Sequence, residues 1–378
     1  MKNKILFISN SFWYFYNFRY DLIQTLLKNN YEIYLVAPYD KYINKFKNKG
    51  INCINWYVKS HSTNPLKELF TLVQLVKIIK SIDAKIVANF TIKASLYGTI
   101  ACRFLKFKNI HNFFTGRGHI HINKDIFNKF LVKITNFIYY ISLKETNIKC
   151  IFQNEQDMEY YIRKKIINSK NIYLIQGSGI DTDYFKNKRE KEKSSKKYKT
   201  RLLFASRLTK EKGVEELIDA FDILSKKKIN FELLLAGIID KNNKSCISDE
   251  YIRKISKAKN LNYLGHVDNI KSLLDSIDIL VLPSWREGFS RILLEAGSME
   301  TGLISYDVPG CNKIIQHLKT GLLVKPHDIK SLSLSIEKMI NNDELRLKLG
   351  KNARTYIIKN YNCKKINNLI IEMFSKCK

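Results

Sequence analysis

Short apolar runs alternate with longer amphipathic stretches through the first half of this chain. The runs predict β-strands, because they hold four to six residues and are rich in Ile, Val, Phe and Tyr. They cover residues 4–9, 32–37, 51–56, 85–90, 109–114 and 149–152. Helical spacing fills the stretches between them. In residues 65–80, for example, it gathers on one helix face the side chains of Leu66, Leu69, Phe70, Val73 and Val76.

The second half repeats this alternation. Its predicted strands cover residues 201–206, 231–236, 262–264, 278–283, 303–306 and 321–324. Two successive series of strands and helices predict an α/β fold with two doubly wound, Rossmann-like parallel sheets. Ligands of such sheets bind at the carboxyl ends of the strands. A cleft between two domains that face each other is therefore the expected site.

A charged run marks the border between the two halves. Residues 186–199 contain no apolar side chain except Tyr198, which indicates a solvated connector. We therefore expect a first domain at 1–176 and a second at 177–361, which opens with a connector at 177–199. The last helix, within 362–378, follows a completed second sheet and is expected to cross back to the first domain.

Composition narrows the class of protein. A hydrophobic content of 45%, with 21 Phe and 21 Tyr, excludes a disordered chain. The seven Cys form no CxxC pair, which indicates a reducing compartment rather than a disulfide framework or a zinc site. The N-terminus is predicted to be a strand and not a signal peptide, and no stretch approaches the roughly 18–20 apolar residues of a transmembrane helix. We expect a cytoplasmic protein, soluble or peripheral to a membrane.

The net charge of +30 is largest in the first half, where residues 1–176 hold 27 Lys and Arg against 10 Asp and Glu. Such a charge suits an anionic membrane surface or a polyphosphate ligand, and it also suits nucleic acid. A helix predicted near 126–141 has an apolar stripe on one side. Its members are Phe127, Phe130, Leu131, Ile134, Phe137, Ile138 and Ile141. Two interpretations stay open: a core-facing helix, and a helix that lies in the interface of an anionic membrane.

The run at 278–300 carries the most chemistry. A buried-strand pattern ends in a loop with Glu287 and Gly288, and an amphipathic helix that contains Glu295 follows. In a sugar-nucleotide site, Glu287 would bind sugar hydroxyls and Glu295 the ribose diol. The free N–H groups at the helix start would face the diphosphate. The alternative is a pair of ordinary surface carboxylates.

Two cations are expected at the same sheet edge. Arg207 follows the first strand of the second domain, and Lys212 opens the next helix. A diphosphate leaving group gains negative charge as its glycosidic bond breaks, and a bidentate Arg with a Lys would stabilise that charge. Lys210, by contrast, is expected to be a solvated basic residue.

Polar residues also follow predicted strands of the first domain. Asn17 and Arg19 come after the first strand, Lys93 after the fourth, and His119 lies in a Gly-flanked turn after the fifth. Their position at strand ends makes Asn17, Arg19 and Lys93 candidates for contacts with an acceptor or a phosphate. His119 is instead a catalytic candidate, as a hydrogen-bond donor to the sugar or the acceptor. For Arg19 a surface salt bridge is the alternative.

Other polar residues carry less information. Asp181-Thr182-Asp183 has the form of a DxD metal motif, but it follows a Gly turn that leads out of the first domain, which argues against metal binding. Four further histidines belong to no constellation: His61, His111, His317 and His327.

Several runs together resemble retaining GT-B glycosyltransferases of family four. The more specific matches are REGFSRILLEA (286–296), DVPGCNKII (307–315), TGLLVKPHD (320–328), GSGIDTDYF (177–185) and SRLTKEKGV (206–214). The looser matches are YNFRYDLI (16–23), TIKASLYG (91–98) and TGRGH (115–119). The chain most resembles the bacterial branch that extends polyprenyl-diphosphate-linked glycans for O-antigen of lipopolysaccharide, capsule or protein glycosylation.

The resemblance implies a metal-independent, cofactor-free transfer from a nucleotide sugar, expected to be a UDP-sugar, with retention of anomeric configuration. It implies that Glu287 contacts the donor sugar and Glu295 the ribose, and that Arg207 and Lys212 hold the diphosphate. The other donor contacts that we expect are Gly288, Phe289 and Ser290 at the sugar and phosphate, and Gly265, His266 and Val267 at the base.

This chain departs from the family in its first domain. Many relatives have a Gly-Gly pair in the first loop, and here SNSFWYFYNF (9–18) has none. Relatives of the branch often have Gly-Leu-Gly where this chain has Gly116-Arg117-Gly118. Arg117 is therefore a candidate contact of the acceptor, and the alternative is a simply exposed side chain.

The expected partners are thus a nucleotide-sugar donor, a polyprenyl-diphosphate-linked glycan acceptor and the inner face of the cytoplasmic membrane. Two alternatives stay open. A non-hydrolysing sugar-nucleotide epimerase shares the architecture but needs no second substrate. Nucleic-acid binding would suit the charge, but no binding motif or aromatic platform accompanies it, so we expect no nucleic-acid partner.

Overall fold

A computed structural model describes residues 3–59, 64–116, 126–143, 148–167, 169–187, 199–240, 243 and 245–375. The chain forms two compact units. The first comprises Met1–Ser178 together with Cys363–Lys378, and the second comprises Gly179–Asn362. The predicted connector at 186–199 lies largely outside the described residues.

Parallel strands and covering helices build the first unit. Its described strands are β1 (Asn3–Ile8), β2 (Tyr31–Ala37), β3 (Ile51–Asn55), β4 (Ile86–Phe90), β5 (Ile110–Phe114), β6 (Ile148–Phe152) and β7 (Ile172–Leu174). Its helices before the second unit are α1 (Phe12–Tyr14), α2 (Tyr20–Lys28), α3 (Pro65–Ile82), α4 (Ile92–Phe104), α5 (Ile126–Leu143) and α6 (Glu155–Arg163). Short turns of other helical types are a π-helix at Phe15–Arg19 and 3-10 helices at Lys41–Lys45 and Ser169–Asn171.

These seven strands form one parallel sheet in the order β3-β2-β1-β4-β5-β6-β7. Strand β1 lies between β2 and β4, and its side chains alternate between two apolar layers. Ile5 and Phe7 belong to the layer beneath α2, while Leu6 and Ile8 belong to the layer beneath α3 and α4. Burial on both faces explains the apolar runs of interior strands such as β1 and β4, whereas the edge strands β3 and β7 contain no buried residue. The sequence missed β7, which at three residues is too short for a recognisable period.

The second unit has the same architecture. Its described strands are β8 (Thr200–Ala205), β9 (Phe231–Ala236), β10 (Leu261–Gly265), β11 (Ile279–Leu282), β12 (Gly302–Tyr306) and β13 (Leu322–Val324). Its helices are α7 (Val214–Ser225), α8 (Asp249–Ile255), α9 (Ile270–Asp275), α10 (Arg291–Ser298), α11 (Ile329–Asn341) and α12 (Asp343–Tyr361), with a 3-10 turn at Lys210–Lys212.

The sheet order in this unit is β10-β9-β8-β11-β12-β13, again with parallel pairing. Both units therefore have the doubly wound order, in which the chain reverses its direction of winding beside the first strand. The predicted α/β fold with two Rossmann-like parallel sheets is confirmed. The reversal creates a crevice at the carboxyl ends of β8 and β11, where ligands of this fold class bind.

The last helix, α13 (Cys363–Ser375), belongs to the first unit. Ile366, Ile370 and Phe374 of α13 lie in the same buried cluster as Phe7 of β1. The Lys149 ammonium donates to the Met373 carbonyl at 3.0 Å, which ties β6 to the end of this helix.

Two helices of the first unit turn apolar side chains outward. On α3, the predicted stripe is largely exposed, with Phe70 at 62%, whereas Leu75 and Ile79 of the same helix are buried. On α5, the exposed members of the stripe are Phe130, Ile134, Phe137 and Ile141. For these four side chains the core-facing alternative is wrong. Within the described residues, no helix is long and apolar enough to cross a membrane.

Candidate active site

The crevice of the second unit brings a lysine and a glutamate together. Lys212 comes from the turn after β8, and Glu287 comes from the loop after β11. Because β8 and β11 are neighbours in the sheet, residues 75 positions apart meet, and the Lys212 Nζ lies 2.6 Å from the Glu287 Oε1. Both side chains are only 14% exposed, so this charge-assisted bond is well shielded from water.

Two glycines let the loops around this pair approach closely. Gly213 has φ +74, and a Cβ there would lie 2.0 Å from the carbonyl oxygen of Pro283. Gly310 has φ +77, and a Cβ there would lie 2.6 Å from the carbonyl oxygen of Gly288. The Ser290 N–H donates to the Gly310 carbonyl at 3.2 Å. Backbone contacts on both sides therefore hold the Glu287 loop.

Trp285 anchors the same loop from a third side. Its backbone N–H donates to the Glu211 carbonyl at 2.9 Å, and its indole N–H donates to the Glu216 carboxylate at 2.7 Å. The other Glu216 oxygen lies 2.6 Å from the His327 Nδ1, and the two rings of Trp285 and His327 lie edge to face with centroids 5.0 Å apart.

Glu295 lies on α10, in which every residue from Leu293 to Ser298 is buried. Its carboxylate accepts a 2.7 Å bond from the Arg291 guanidinium one turn earlier. Burial raises the pKa of Glu295 above its ordinary value, and the Arg291 charge opposes this rise. Ser290 immediately precedes α10 but its side chain does not cap it, so its hydroxyl satisfies none of the N–H groups of the first turn.

The other predicted donor residues lie in the same unit, after strands of its sheet. Arg207 follows β8, is 45% exposed and lies 3.8 Å from the Asp240 carboxylate. Gly265 ends β10 with φ +63, and His266 beyond it lies 3.1 Å from Asp268. Both segments follow carboxyl ends of strands.

Two further donor candidates are fixed by packing. The Phe289 ring meets Tyr361 edge to face at 5.1 Å, so the residue between Gly288 and Ser290 is anchored to the core. Val267 likewise packs against that core.

Candidates in the first unit have different surroundings. The Asn17 amide donates to the Trp13 carbonyl at 2.9 Å. The Lys93 ammonium lies 3.0 Å from Glu68, and both side chains are partly buried. Tyr97 donates to the same Glu68 carboxylate. Lys93 is thus held in an ion pair within the described structure.

Arg19 is buried rather than in a surface salt bridge, so that alternative is wrong. Its guanidinium bonds the Tyr14 hydroxyl at 3.1 and 3.2 Å and lies 4.7 Å from the ring centre of Phe90 and 5.1 Å from that of Phe113. The Arg19 guanidinium is therefore stabilised by cation–π contacts with these rings in the place of a carboxylate. Arg117 and His119, the remaining candidates, lie outside the described residues.

The DxD-like run has a structural role. The Asp181 carboxylate accepts the backbone N–H groups of Asp183 and Tyr184, both at 2.9 Å, and so closes a local turn. Within the part of the chain that the structure describes, no group of three or more His, Cys, Asp or Glu side chains is arranged to hold a metal ion.

The sequence pattern missed the role of Glu216 and His327. His327 belongs to no motif by spacing, and its partner is 111 positions away. Only the packing of α7 beside the segment before α11 joins them. No local signal in the sequence marks this contact.

The assembled site has a distinct chemical character. Lys212, Arg207 and the start of α10 supply positive potential at one sheet edge, and Glu287 and Glu295 supply carboxylate acceptors within it. Such an edge can hold a diphosphate and, beside it, rings that carry several hydroxyl groups.

Comparisons with known proteins agree with this character. A family model of group 1 glycosyl transferases matches residues 185–356. A second model, of glycosyl transferase 4-like domains, matches residues 4–155. The chain is 29% identical over 358 residues to a Campylobacter jejuni N,N'-diacetylbacillosaminyl-diphospho-undecaprenol alpha-1,3-N-acetylgalactosaminyltransferase, with 93% of each chain covered.

Two further proteins are similar. The capsular polysaccharide biosynthesis glycosyltransferase CapM of Staphylococcus aureus is 26% identical, with 88% of this chain and 86% of that protein covered. The solved structure of a sucrose-phosphate synthase from Thermosynechococcus elongatus superposes with a TM-score of 0.80 at 17% identity over 99% of both chains, which confirms the GT-B-like fold. The glycosyl transferase 4-like model thus matches the first half of the chain, and the group 1 model matches the second half. The chain therefore belongs to the glycosyltransferases and has the GT-B fold.

Proposed function

We propose that this protein transfers a sugar from a UDP-sugar to a polyprenyl-diphosphate-linked glycan, with retention of configuration and without a metal ion. The pathway is assembly of a bacterial surface polysaccharide, such as O-antigen or capsule, or of a protein-linked glycan. The observation that carries the proposal is the shielded Lys212–Glu287 pair at the point where the second sheet reverses its winding.

The donor part of the proposal follows from the charges at that edge. Lys212 and Arg207 are suited to the two phosphates, and the N–H groups of the first turn of α10 add positive potential. When the diphosphate binds, the Lys212 ammonium gains an anionic partner, and Glu287 becomes an acceptor for sugar hydroxyls. Glu295, whose carboxylate Arg291 orients, is suited to the ribose diol.

The reaction balances without a cofactor. The bond between the anomeric carbon and the diphosphate oxygen breaks, and a bond from that carbon to the acceptor oxygen forms on the same face. The acceptor proton leaves with the nucleoside diphosphate. Lys212 and Arg207 stabilise the charge that grows on the departing phosphate, which is the task that a divalent cation performs in other sites.

The acceptor part of the proposal is supported by the relatives. The Campylobacter protein acts, by its name, on a sugar joined through a diphosphate to undecaprenol, and the Staphylococcus protein serves capsular polysaccharide biosynthesis. The likeness to each extends over most of both chains, so the first domain, where we place the acceptor, is included.

A membrane-bound acceptor suits the outer surface of the first unit. We name the exposed apolar side chains of α3 and α5 the outer apolar face. Its members are Leu66, Leu69, Phe70, Val73, Phe130, Ile134, Phe137 and Ile141. Lys67, Lys129 and Lys133 lie among them and are exposed. Apolar side chains mixed with Lys favour peripheral binding to an anionic lipid surface, here the inner face of the cytoplasmic membrane.

Substitution of Lys212 tests the catalytic assignment. Lys212→Met is expected to lower kcat by about 100- to 1,000-fold, the usual effect of removing one group that stabilises transition-state charge. Lys210→Met is the matched control, because this lysine lies in the same turn but is exposed. Equal activity of the two variants would count against the site.

The donor is identified by thermal shift with UDP- and GDP-sugars, since a ligand at 100 times its Kd adds about 2.7 kcal/mol of stability. Incubation with the donor alone then separates a transferase from an epimerase. A transferase consumes the donor at its full rate only when the lipid-linked acceptor is present, whereas accumulation of an epimeric sugar nucleotide would refute the proposal.

A further inference from the structure

Three large aromatic side chains are exposed where neighbouring strands of the first sheet end. Trp13 follows β1 and is 44% exposed, Tyr39 follows β2 and is 53% exposed, and Tyr57 follows β3 and is 64% exposed. The three strands are adjacent and parallel, so the residues lie along one edge of the sheet. From the usual spacing of neighbouring strands, the ends of the three strands span about 10 Å. We call these residues the aromatic row.

Side chains of the neighbouring loops hold the first two members in place. The Asp40 carboxylate accepts the backbone N–H of Trp13 at 2.9 Å, which ties the loop after β1 to the loop after β2. The Asn55 side-chain oxygen accepts the backbone N–H of Tyr39 at 3.0 Å, which ties the loop after β2 to the end of β3.

The third member is fixed in the same way. The Gln74 side-chain oxygen accepts the backbone N–H of Tyr57 at 2.9 Å. The amide nitrogen of Gln74 donates to the Asn55 carbonyl at 3.3 Å. A continuous set of hydrogen bonds thus connects the loops that carry the aromatic row. Such preorganisation lowers the entropy that a ligand loses on binding.

Further contacts fix the rings of Tyr39 and Trp13. The Tyr39 hydroxyl donates to the Cys53 carbonyl at 3.1 Å, so its polar end is occupied and its ring lies along the edge of the sheet. The Trp13 ring meets Phe18 edge to face at 5.5 Å, which fixes its orientation. Exposed rings of fixed orientation offer apolar surface on which a ligand can pack.

We propose that the aromatic row is the binding site for saccharide units of the glycan acceptor. Pyranose rings present faces of C–H groups that pack on aromatic rings, and their hydroxyls bond to amides and carboxylates such as those of Asn17 and Asp40. The row lies at the carboxyl edge of a parallel sheet, where ligands of this fold class bind. A span of about 10 Å fits roughly two sugar units. This inference rests on the proposed transfer to a glycan.

The alternative partner, a lipid surface, fits the row less well. The outer apolar face is largely aliphatic and phenyl, with lysines interspersed. The aromatic row instead has a carboxylate and amides among its rings, and Asp40 is unfavourable beside anionic lipid. The row is therefore matched to a polar ligand with hydroxyl groups.

Steady-state kinetics tests the inference. The probes are one-, two- and three-sugar acceptors on a short, soluble prenyl diphosphate, with donor saturating. Trp13→Ala and Tyr39→Ala are expected to raise the acceptor KM about tenfold, which corresponds to 1.4 kcal/mol, and to leave the donor KM unchanged. The increase should grow from the one-sugar to the two-sugar acceptor. Trp13→Phe should restore most of the affinity, because it keeps a ring.

Tyr173→Ala is the matched control. Tyr173 is an exposed tyrosine of β7, at the opposite end of the same sheet, and its substitution should leave every acceptor KM unchanged. An unchanged acceptor KM in both Trp13→Ala and Tyr39→Ala would overturn the inference. The inference would also be overturned if these two variants bound more weakly to vesicles with 30% anionic lipid while their acceptor KM stayed normal. The aromatic row would then be a lipid contact.

A direct binding measurement separates this inference from the proposed transferase reaction. Saturation-transfer NMR with free oligosaccharides and no donor should show contact in the wild type and loss of contact in Trp13→Ala. If no nucleotide sugar binds or reacts, the transferase proposal fails. The NMR result still shows whether the aromatic row binds oligosaccharides. Absence of any oligosaccharide signal in the wild type refutes the row even if sugar transfer is observed.

Discussion

Replacement of Gly213 by alanine tests whether the contact between two loops positions Lys212. Gly213 immediately follows Lys212, has φ +74 and lies against Pro283 of the Glu287 loop. The left-handed conformation costs an alanine about 1–2 kcal/mol. The added Cβ would also stand 2.0 Å from the Pro283 carbonyl oxygen, which real structures do not tolerate, so the two loops must separate by about 1 Å or more.

This separation acts directly on the site. It lengthens the 2.6 Å bond between Lys212 and Glu287, and a misplacement of about 1 Å typically costs about 100-fold in rate. We therefore expect Gly213→Ala to fold, to lose a few degrees of Tm, and to lose about 100-fold in kcat/KM for transfer.

Gly50→Ala is the control, because Gly50 has a similar φ of +69 but nothing within 4 Å of the added Cβ. It should show the same backbone strain in a thermal melt and full activity. Wild-type activity in Gly213→Ala, with Tm lowered as in Gly50→Ala, would refute the reasoning, since the loops could then separate without effect on catalysis.

The remaining predictions concern the loop anchor, a buried histidine and the outer apolar face. Glu216→Ala removes the acceptor of the indole N–H and should lower kcat about tenfold with little change in Tm, measured by transfer assays and thermal melts. Burial lowers the pKa of His111 to about 3, well below its unfolded value near 6.5. Between pH 6.5 and pH 3 the folded state therefore binds fewer protons than the unfolded state, and the free energy of unfolding falls as the pH decreases. At pH 5 this loss is about 2 kcal/mol, and His111→Gln should lose correspondingly less stability between pH 7 and pH 5 than the wild type in thermal melts. The double variant Phe130→Ser/Phe137→Ser should bind anionic vesicles several-fold more weakly than the wild type in a flotation assay. Leu334→Ser changes an exposed residue of the second unit and should bind like the wild type. Equal binding by the wild type and both variants would contradict the membrane assignment.

Much of the fold could be read from the sequence because parallel strands buried on both faces are mostly apolar. The run at Ile279–Leu282, for example, is fully buried and was predicted as a strand. The weak point was β7, where Tyr173 and Leu174 are exposed at the sheet edge and carry no periodic signal.

The faces of helices were less predictable. In α3, the sequence shows which side chains share a face. The pattern is the same whether that face packs against the core of this protein or against an external partner. The structure buries Leu75 and Ile79 and exposes Leu66 and Phe70. Which stripe faces the sheet depends on the packing of α3 against its neighbour α4, and local spacing contains no information on it.

The sequence by itself determined that Lys212 and Glu287 would follow two buried strands and so stand at the ligand edge of a parallel sheet. Only the tertiary structure decided that these strands are neighbours, that the two side chains form a 2.6 Å ion pair, and that Glu216, His327 and Trp285 are joined beside them. The physical reason is that hydrophobic period and turn chemistry act over a few residues, whereas contacts between residues 75 or 111 positions apart depend on strand order and on close packing of the whole unit.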